Sequence, residues 1–461
     1  MFSGFCSQYH SIGISVRVRA TISRPRSIRE LGGPDGVIRM NEAEEISSKQ
    51  KQISVSEFFE KNKHFLGFDT LPRAVITAVK ESVDNSLDAC EEARILPDIR
   101  VEIRRTKGDE LELITQDNGP GIPRDAIENV FGKFLLGSRF HAIRQTRGQQ
   151  GIGITGVVMY SQLTTGSKTH VVSKIKSDSS AVYVDLGVDT KKNKAIKSGE
   201  RRDIWIDDKT GNEISHGLRI RTQMKAKYQR GRKSVYQYLR MTSIVNPHAS
   251  ISLIVYDKEG SVVEEGNWIR TSNKLPRVVE EIKPHPHGIQ LGTLQRMLRE
   301  ANDRKMTSFL KHNFSGVSPR AAKEILAIAE VEEGRTPKRI KAEEAKMIVS
   351  AFQTVKLLKP PMDCLSPIED LLIKKGLSKA IDSRFASTVT RNPSVSQGNP
   401  FQIEVGLVFG GDLTSDGPIE ILRFANRVPL MYQQGGCLLT KALEAVNWKS
   451  YGLEQPGGSG I

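Results

Sequence analysis

The chain has 461 residues, of which 38% are hydrophobic and 26% are charged. This composition is typical of a folded protein with about three domains, it excludes collagen-like and extensively disordered chains, and no apolar run approaches the length of a membrane-spanning helix. The formal net charge of +15 favours a polyanionic partner, although charge alone is equally compatible with an ordinary basic protein.

The four cysteines are widely separated along the chain, at Cys6, Cys90, Cys364 and Cys437. None of them forms a C-x-x-C pair, so the pattern favours neither a zinc cluster nor a disulfide scaffold. We therefore expect free thiols in a reducing compartment.

Residues 1–39 differ from the rest of the chain because arginine and serine are frequent and acidic residues are few. This composition is compatible with an organelle transit peptide. We favour a disordered tail, or an extension upstream of a true start at Met40. The polar stretch after Met40, NEAEEISSKQ, is typical of a natural chain beginning.

Folded sequence is predicted from about Ser54 onward. Pro72 suits the first turn of a long helix, whose apolar residues recur at spacings of three and four. That buried stripe consists of Ile76, Val79, Val83 and Leu87. The predicted elements are, in order, helices at 56–59 and 71–95, strands at 99–103 and 111–115, a turn at 117–121 and a helix at 125–136.

A polar, glycine-rich loop is predicted at 137–153, followed by strands and loops to about 256 with a Lys-rich insert near 190–212. Residues 276–290 are predicted to be a linker. His285 and His287 within it could bind a metal, but flanking prolines and the absence of nearby Cys or acidic partners favour a rigid connector.

Residues 291–356 are predicted to be a helical block, with Ser318 as the N-cap before Pro319. Two apolar faces are expected there, one formed by Ala321, Ile325 and Ile328 and the other by Ile348 and Phe352. Beyond residue 365 we predict a helix containing Ile368, Leu371 and Leu372, strands at 402–409 and 419–424, and a final helix at 439–448.

Three short clusters carry candidate chemistry. The first is Glu81, Asn85 and Asp88, whose spacings of four and three place them on one face of the long helix. A carboxylate one turn from a carboxamide suits a water-activating base beside an oxygen ligand for a hard metal. On this cluster alone, a solvated helix face is the alternative.

The second cluster, Asp117-Asn-Gly-Pro-Gly-Ile122, directly follows a predicted strand. An aspartate at this position can accept a hydrogen bond from an exocyclic amine, and its glycines allow the backbone to approach a ligand closely. A plain turn is the alternative.

The third cluster runs from Arg147 to Ile154 and spaces Gly148, Gly151 and Gly153 as G-x-x-G-x-G before an apolar helical run. This arrangement suits a phosphate cradle at a helix N-terminus. It is neither a Walker A motif nor a placed Rossmann fingerprint, so by itself it is a weak signal.

The order and spacing of the three clusters together resemble the GHKL ATPases, which include gyrase-type topoisomerases, Hsp90 chaperones, mismatch-repair ATPases and histidine kinases. Within that superfamily the motifs are most similar to those of the B subunit of topoisomerase VI, a type IIB DNA topoisomerase. Residues 131–141 resemble its lid segment and 147–154 its glycine box, and the similarity extends from Met40 to Ile461.

The resemblance implies an α+β multidomain fold. A GHKL (Bergerat) α/β sandwich would occupy 40–275, a linker and helix-two-turn-helix insert 276–360, and a transducer domain with a ribosomal-protein-like α/β fold 361–461. Family members continue through further transducer strands and a long helix, so we expect the chain to be truncated or a fragment at its C-terminal end.

The resemblance also implies roles for individual residues. Glu81 would be the general base, Asn85 the Mg²⁺ ligand, Asp117 the reader of the adenine amine, and Lys449 a cation that reaches the γ-phosphate. Without the resemblance, a solvated surface lysine is the preferred interpretation of Lys449. The remaining nucleotide-binding residues would be Asp88, Gly121, Ser138, Arg139, Arg147, Gly148, Gln149, Gln150, Gly151, Ile152, Gly153 and Ile154.

The function implied is that of the ATP-hydrolysing B subunit of such a topoisomerase. ATP would dimerise two B subunits around double-stranded DNA, and two A subunits completing the heterotetramer would make the break, so that supercoils are relaxed and DNA is decatenated. The implied location is cytoplasmic and nucleoid-associated, as in archaea.

Two other function classes stay open. A chaperone or mismatch-repair ATPase is disfavoured by the helical block and by residues 447–452. A non-catalytic DNA-binding relative is disfavoured by the intact set of Glu81, Asn85 and Lys449. The ATPase hypothesis requires Glu81 and Asn85 to lie near Gly121 and Gly151 in the folded chain.

Overall fold

The computed structural model describes residues 55–133, 143–148, 151–189, 194–413 and 419–452. Of these, 55–432 belong to one compact unit and 433–452 to a second. Within the described ranges no helix combines the length and the apolar character needed to cross a bilayer. The predictions for residues 1–39 lie outside the described residues.

The first unit contains an eight-stranded mixed sheet. Its strands are β1 (Asp98–Arg105), β2 (Glu110–Asp117), β3 (Thr169–Lys174), β4 (Ala181–Asp189), β5 (Lys194–Asp203), β6 (Gly217–Lys225), β7 (Ser250–Tyr256) and β8 (Val262–Trp268). They are ordered β5-β4-β3-β6-β2-β1-β7-β8. β1 and β7 are parallel, and every other neighbouring pair is antiparallel.

Helices cover this sheet with a shared apolar core. They are α1 (Val55–Lys61), α2 (Lys63–Leu66), α3 (Leu71–Glu92), α4 (Arg124–Gly132), α5 (Gly153–Thr165) and α6 (Val235–Val245). Ile99, Val101 and Ile103 of β1 are buried in that core. The alternating residues Arg100 and Glu102 form ion pairs instead, with Asp207 and with Arg104 and Lys209. The sheet therefore has one apolar and one charged face.

The long predicted helix is present as α3. It begins after Thr70, whose hydroxyl accepts a hydrogen bond from the Arg73 N–H, and Pro72 lies in its first turn. The whole predicted apolar stripe is buried. The opposite face of α3 is thereby left to carry the polar cluster.

The predicted helical block is confirmed as four helices with their own buried core, α7 (Leu291–Glu300), α8 (Met306–Asn313), α9 (Pro319–Ile328) and α10 (Ala342–Thr354). Ser318 caps α9 by accepting the Ala321 N–H at 3.1 Å. One expected core residue is wrong, because Ile328 is 50% exposed and Leu326 is buried in its place. The helix turns its last residue outward as it ends.

The remaining part of the first unit contains α11 (Asp370–Ala380), β9 (Phe385–Thr390), β10 (Ser394–Ser396), β11 (Asn399–Phe401), β12 (Glu404–Phe409), β13 (Phe424–Ala425) and β14 (Val428–Pro429). Two predictions are corrected here. α11 begins after Ile368 and buries Ile373 and Leu377, whereas Leu371 is exposed. The strand predicted at 419–424 is reduced to the two residues of β13, since 419–423 form no ladder.

The second unit contains α12 (Leu438–Glu444) and a 3-10 helix, Trp448–Tyr451. The final helix predicted at 439–448 is present but shorter, because the α-helix ends at Glu444, before the 3-10 turn that carries Lys449. Cys90 and Cys364 are buried free thiols, as predicted.

Candidate functional site: a helix face between two glycine turns

The polar face of α3 carries the first cluster. The Glu81 carboxylate is 26% exposed and pairs with the Lys80 ammonium at 3.0 Å. Asn85 is exposed, and its carboxamide makes no hydrogen bond to any residue in the described ranges. Glu81 thus has a fixed neighbour, while the Asn85 oxygen is available to a ligand.

Asp84 and Lys80 belong to the same site, although the sequence analysis passed over them. Burial raises the pKa of Asp84 to about 6, and the Lys80 charge opposes that rise. The Tyr238 hydroxyl donates to Asp84 Oδ1 at 3.0 Å, and Lys80 Nζ lies 3.3 Å from Oδ2. Burial by itself lowers the pKa of Lys80, but the carboxylates of Glu81 and Asp84 raise it by more. The net pKa lies above its usual value, so Lys80 stays charged.

The third cluster lies directly against the first. A Cβ placed on Gly153 would lie 1.9 Å from Glu81 Oε2, so glycine lets the start of α5 lie against this carboxylate, and a side chain there would displace it. The residue before it, Ile152, provides no side-chain cap. The first turn of α5 therefore presents uncapped backbone N–H groups beside the Glu81 carboxylate, and such groups favour an anion.

The second cluster is attached to α3 through Asp117 at the end of β2. Ser86 Oγ donates to Asp117 Oδ2 at 2.6 Å, and the Gly119 N–H donates to Oδ1 at 2.9 Å. Burial raises the pKa of Asp117, and these two hydrogen bonds oppose part of the rise. A carboxylate has about four acceptor sites, so Asp117 can still accept a further donor.

Gly121 provides a close backbone approach in the same turn. Its φ is +73°, and a Cβ there would lie 2.2 Å from the Lys174 carbonyl oxygen at the end of β3. The neighbouring strand leaves no space for a side chain, so the turn packs tightly beside Asp117.

Gly121→Ala is expected to destabilise the fold more than Gly108→Ala. Both glycines have positive φ, but Gly108 has no atom within 4 Å of the added Cβ. Positive φ costs an alanine about 1–2 kcal/mol, and the collision at Gly121 adds about 1–3 kcal/mol. Chemical denaturation of both variants measures the difference. Equal losses of stability would show that the Lys174 backbone yields freely.

The Arg147 side chain points to protein acids. Its guanidinium contacts Asp88 and Glu91 at 2.6 Å each and the Asn246 side-chain oxygen at 2.6 Å. Although burial alone raises the pKa of Glu91, Arg147 and His248 hold it well below its usual range. Arg147 and Asp88 are therefore paired with each other within the protein. The phosphate contact of Arg147 and the ligand contact of Asp88 stay predictions.

Other predicted site residues are placed less completely. Ser138, Arg139, Gln149 and Gln150 lie outside the described residues. Gly148 is exposed at the end of segment 143–148, Gly151 has a φ of +59°, and Ile154 packs against the core from the first turn of α5. Lys449 lies in the second unit, and its reach to the γ-phosphate stays a prediction.

The donor set decides which groups this site fits. In the described ranges no three His, Cys, Asp or Glu side chains converge as for a metal held by protein alone. One exposed carboxamide oxygen suits Mg²⁺, which keeps several waters and is held largely by phosphate oxygens. The start of α5, where Ile152 provides no side-chain cap, offers backbone N–H groups that fit the phosphates of a nucleotide.

Two family models match the chain. Residues 70–190 match the histidine kinase-, DNA gyrase B- and HSP90-like ATPases, and residues 360–460 match the transducer of the topoisomerase VI B subunit. The B subunit of type 2 DNA topoisomerase 6 from Pyrococcus horikoshii is 35% identical over 465 residues, covering 90% of this chain and 79% of that protein. The chain belongs to the topoisomerase VI B-subunit family. The same-named protein of Thermococcus gammatolerans is 36% identical and is covered to 80%.

The chain spans about 65% of the length of the methanogen relatives, such as the Methanosarcina acetivorans protein, with which it shares 50% identity over 417 residues. The match to the ATPase region of Saccharomyces cerevisiae topoisomerase II covers 48% of this chain and 62% of that chain, at 12% identity and with a TM-score of 0.33. Family membership confirms the expected fold class. The eight-stranded sheet with its helices is a GHKL ATPase fold, and a transducer domain is present.

Proposed function

We propose that this chain binds ATP with Mg²⁺ and hydrolyses it as the B subunit of a type II DNA topoisomerase. The observation that carries the proposal is the position of Glu81, whose carboxylate lies against Gly153 at the start of α5 and one helical turn from Asn85. A base, an amide oxygen and an uncapped helix N-terminus on adjoining elements are the parts that phosphoryl transfer to water requires.

The chemistry follows from what each side chain can do. Glu81 orients a water and accepts its proton, and Lys80 holds that carboxylate in place. Asp117, kept in position by Ser86 and Gly119, accepts a hydrogen bond from the adenine amine. The N–H groups at the start of α5 donate hydrogen bonds to the phosphate oxygens. Asn85 would hold Mg²⁺, which would supply positive charge against the charge that develops on the phosphates during transfer.

The larger assembly is part of the same proposal. The relatives are named as B subunits, which implies that an A subunit is their partner. Two B subunits that dimerise on ATP would close around a DNA duplex, and a formal charge of +15 favours that polyanion. Lys449, reaching the γ-phosphate from the second unit, would link nucleotide state to domain orientation. The archaeal relatives favour a cytoplasmic, nucleoid-associated location.

Thermal unfolding with and without a non-hydrolysable ATP analogue and Mg²⁺ tests the nucleotide site. Ligand at 100 times its dissociation constant stabilises the folded state by about 2.7 kcal/mol. Chelating Mg²⁺ is expected to remove most of this effect. No stabilisation at saturating analogue would refute the ATP site.

Adding the topoisomerase VI A subunit of a relative tests the rest of the proposal. ATP-dependent decatenation is expected only when both subunits are present. ATP hydrolysis that proceeds normally without any decatenation in the mixture would leave a GHKL ATPase of another kind.

A further inference from the structure

Residues 143–147, which we name the bridging segment, lead into the glycine box and share Arg147 with it. One side of this segment is fastened to α3. Arg147 pairs with Asp88 and Glu91, and Arg144 Nη2 lies 3.4 Å from the Glu92 carboxylate. The root of the glycine box is thus fixed to the last turns of the helix that carries Glu81 and Asn85.

The other side of the bridging segment is bonded to the linker and to the start of the transducer. The Ile282 N–H donates to the Ile143 carbonyl at 3.1 Å. The Gln145 N–H donates to the Cys364 carbonyl at 2.9 Å, and the Ser366 N–H donates to Gln145 Oε1 at 2.8 Å. Gln145 therefore bonds to residues 364–366 through both its backbone and its side chain.

From Ser366 the contacts continue to the transducer strands. The Ile368 and Glu369 N–H groups donate to the two oxygens of Glu404, the first residue of β12, at 2.9 and 2.8 Å. Arg427 Nη2 donates to the carbonyls of Ser366 and Pro367 at 3.0 Å each. Hydrogen bonds therefore connect residues 366–369 to β12 and to the turn before β14.

A cavity of about 440 Å³ adjoins these contacts, and its lining includes Gln145, Arg147, Ser366 and Arg427. Close-packed interiors resist small shifts. A cavity at this junction gives the side chains space to rearrange while the backbone bonds of the segment persist.

We propose that Gln145 is a positioning residue that couples the glycine box to the start of the transducer at Ser366. This inference rests on the proposed ATP binding. Nucleotide contacts at the glycine box would restrain the bridging segment, and Gln145 would pass that restraint to Ser366 and then through Glu404 to β12. The route is separate from Lys449 and runs within the first unit.

Hydrogen exchange at residues 360–370 of the full chain tests the coupling, with thermal unfolding as a parallel measure of nucleotide binding. In the wild type, the β,γ-imido analogue of ATP with Mg²⁺ is expected to slow exchange of the Ser366 amide. Gln145→Ala should speed that exchange about five- to tenfold, as for the loss of one ordinary hydrogen bond, and should abolish the nucleotide response. The thermal shift should remain.

Two further variants separate coupling from general destabilisation. Gln145→Glu keeps the acceptor oxygen and is expected to restore the nucleotide response at Ser366. Gln162→Ala removes an acceptor of the same kind, which receives the Val188 N–H at 2.7 Å far from the bridging segment, and should leave Ser366 unaffected.

Three outcomes would overturn the inference. A wild-type chain that shows the thermal shift but no change at Ser366 contradicts coupling by this route, and so does a Gln145→Ala variant that responds to nucleotide like the wild type. A wild-type chain without any thermal shift refutes the proposed ATP binding itself, and the inference with it.

Discussion

Replacing Glu81 by glutamine is expected to lower the rate of ATP hydrolysis by about 10²–10⁴-fold, the contribution of a positioned general base. Glutamine keeps the shape and hydrogen-bonding reach of the side chain beside Lys80 and Gly153, but it cannot accept the water's proton. Nucleotide binding should persist, because the proposed adenine and phosphate contacts are those of Asp117 and of the start of α5.

Steady-state phosphate release measures the rate, and the thermal shift produced by the non-hydrolysable analogue measures binding. Glu259→Gln, which changes an exposed carboxylate in the turn between β7 and β8, is a control that should hydrolyse ATP at the wild-type rate. A Glu81→Gln variant with normal hydrolysis would show that another group activates the water. Loss of the thermal shift as well would assign Glu81 to binding.

Arg147→Gln is expected to lower the free energy of unfolding by about 3–5 kcal/mol at neutral pH, because it leaves two carboxylates in a buried site without their cation. The Arg147 side chain is 4% exposed, and those of Asp88 and Glu91 are 12% and 16% exposed. His248 keeps its hydrogen bond to Glu91, but burial lowers the pKa of His248, which disfavours an imidazolium that could replace Arg147.

The pH dependence of this variant follows from Glu91. In the wild type the pKa of Glu91 is depressed in the folded state, so its stabilising contribution is present above its unfolded pKa and is lost as pH falls below about 4. Without Arg147, burial raises the pKa of the Glu91 carboxyl. Protonation of Glu91 then removes a buried unpaired charge and so reduces the loss of stability in the variant. The stability difference between the two proteins should therefore shrink below about pH 5.

Denaturant unfolding between pH 4 and pH 8 measures this difference. Arg144→Gln is the matched control in the same segment, because its partner Glu92 is 55% exposed and such pairs contribute less than about 1 kcal/mol. A stability loss for Arg147→Gln that is small, or that stays constant across this pH range, would contradict the assignment of Arg147 as the counter-ion of Asp88 and Glu91.

Local patterns predicted much of the fold. The stripe from Ile76 to Leu87 predicted α3 and its buried face, and alternation predicted β1 and β2. Prediction failed where the local signal was short or the chain turned at an element's end. Ile328 occurs at the helical spacing yet faces solvent, and residues 419–423 have strand composition without a partner strand.

The candidate site divides in the same way. The residue types and spacings around Glu81, Asp117 and Gly153, with the family resemblance, determined a nucleotide-binding interpretation, because helical spacing and glycine geometry are local properties of the chain. Only the tertiary structure decided that Gly153 lies against Glu81 and that Ser86 holds Asp117.

Only the tertiary structure also showed that Arg147 forms ion pairs with Asp88 and Glu91. It showed as well that Gln145 forms hydrogen bonds with residues 364–366. These partners are separated by 56 residues for Arg147 and Glu91 and by 221 for Gln145 and Ser366. No periodicity in the sequence links positions so far apart. Their pairing depends on how buried charges and backbone groups find partners once the core has packed.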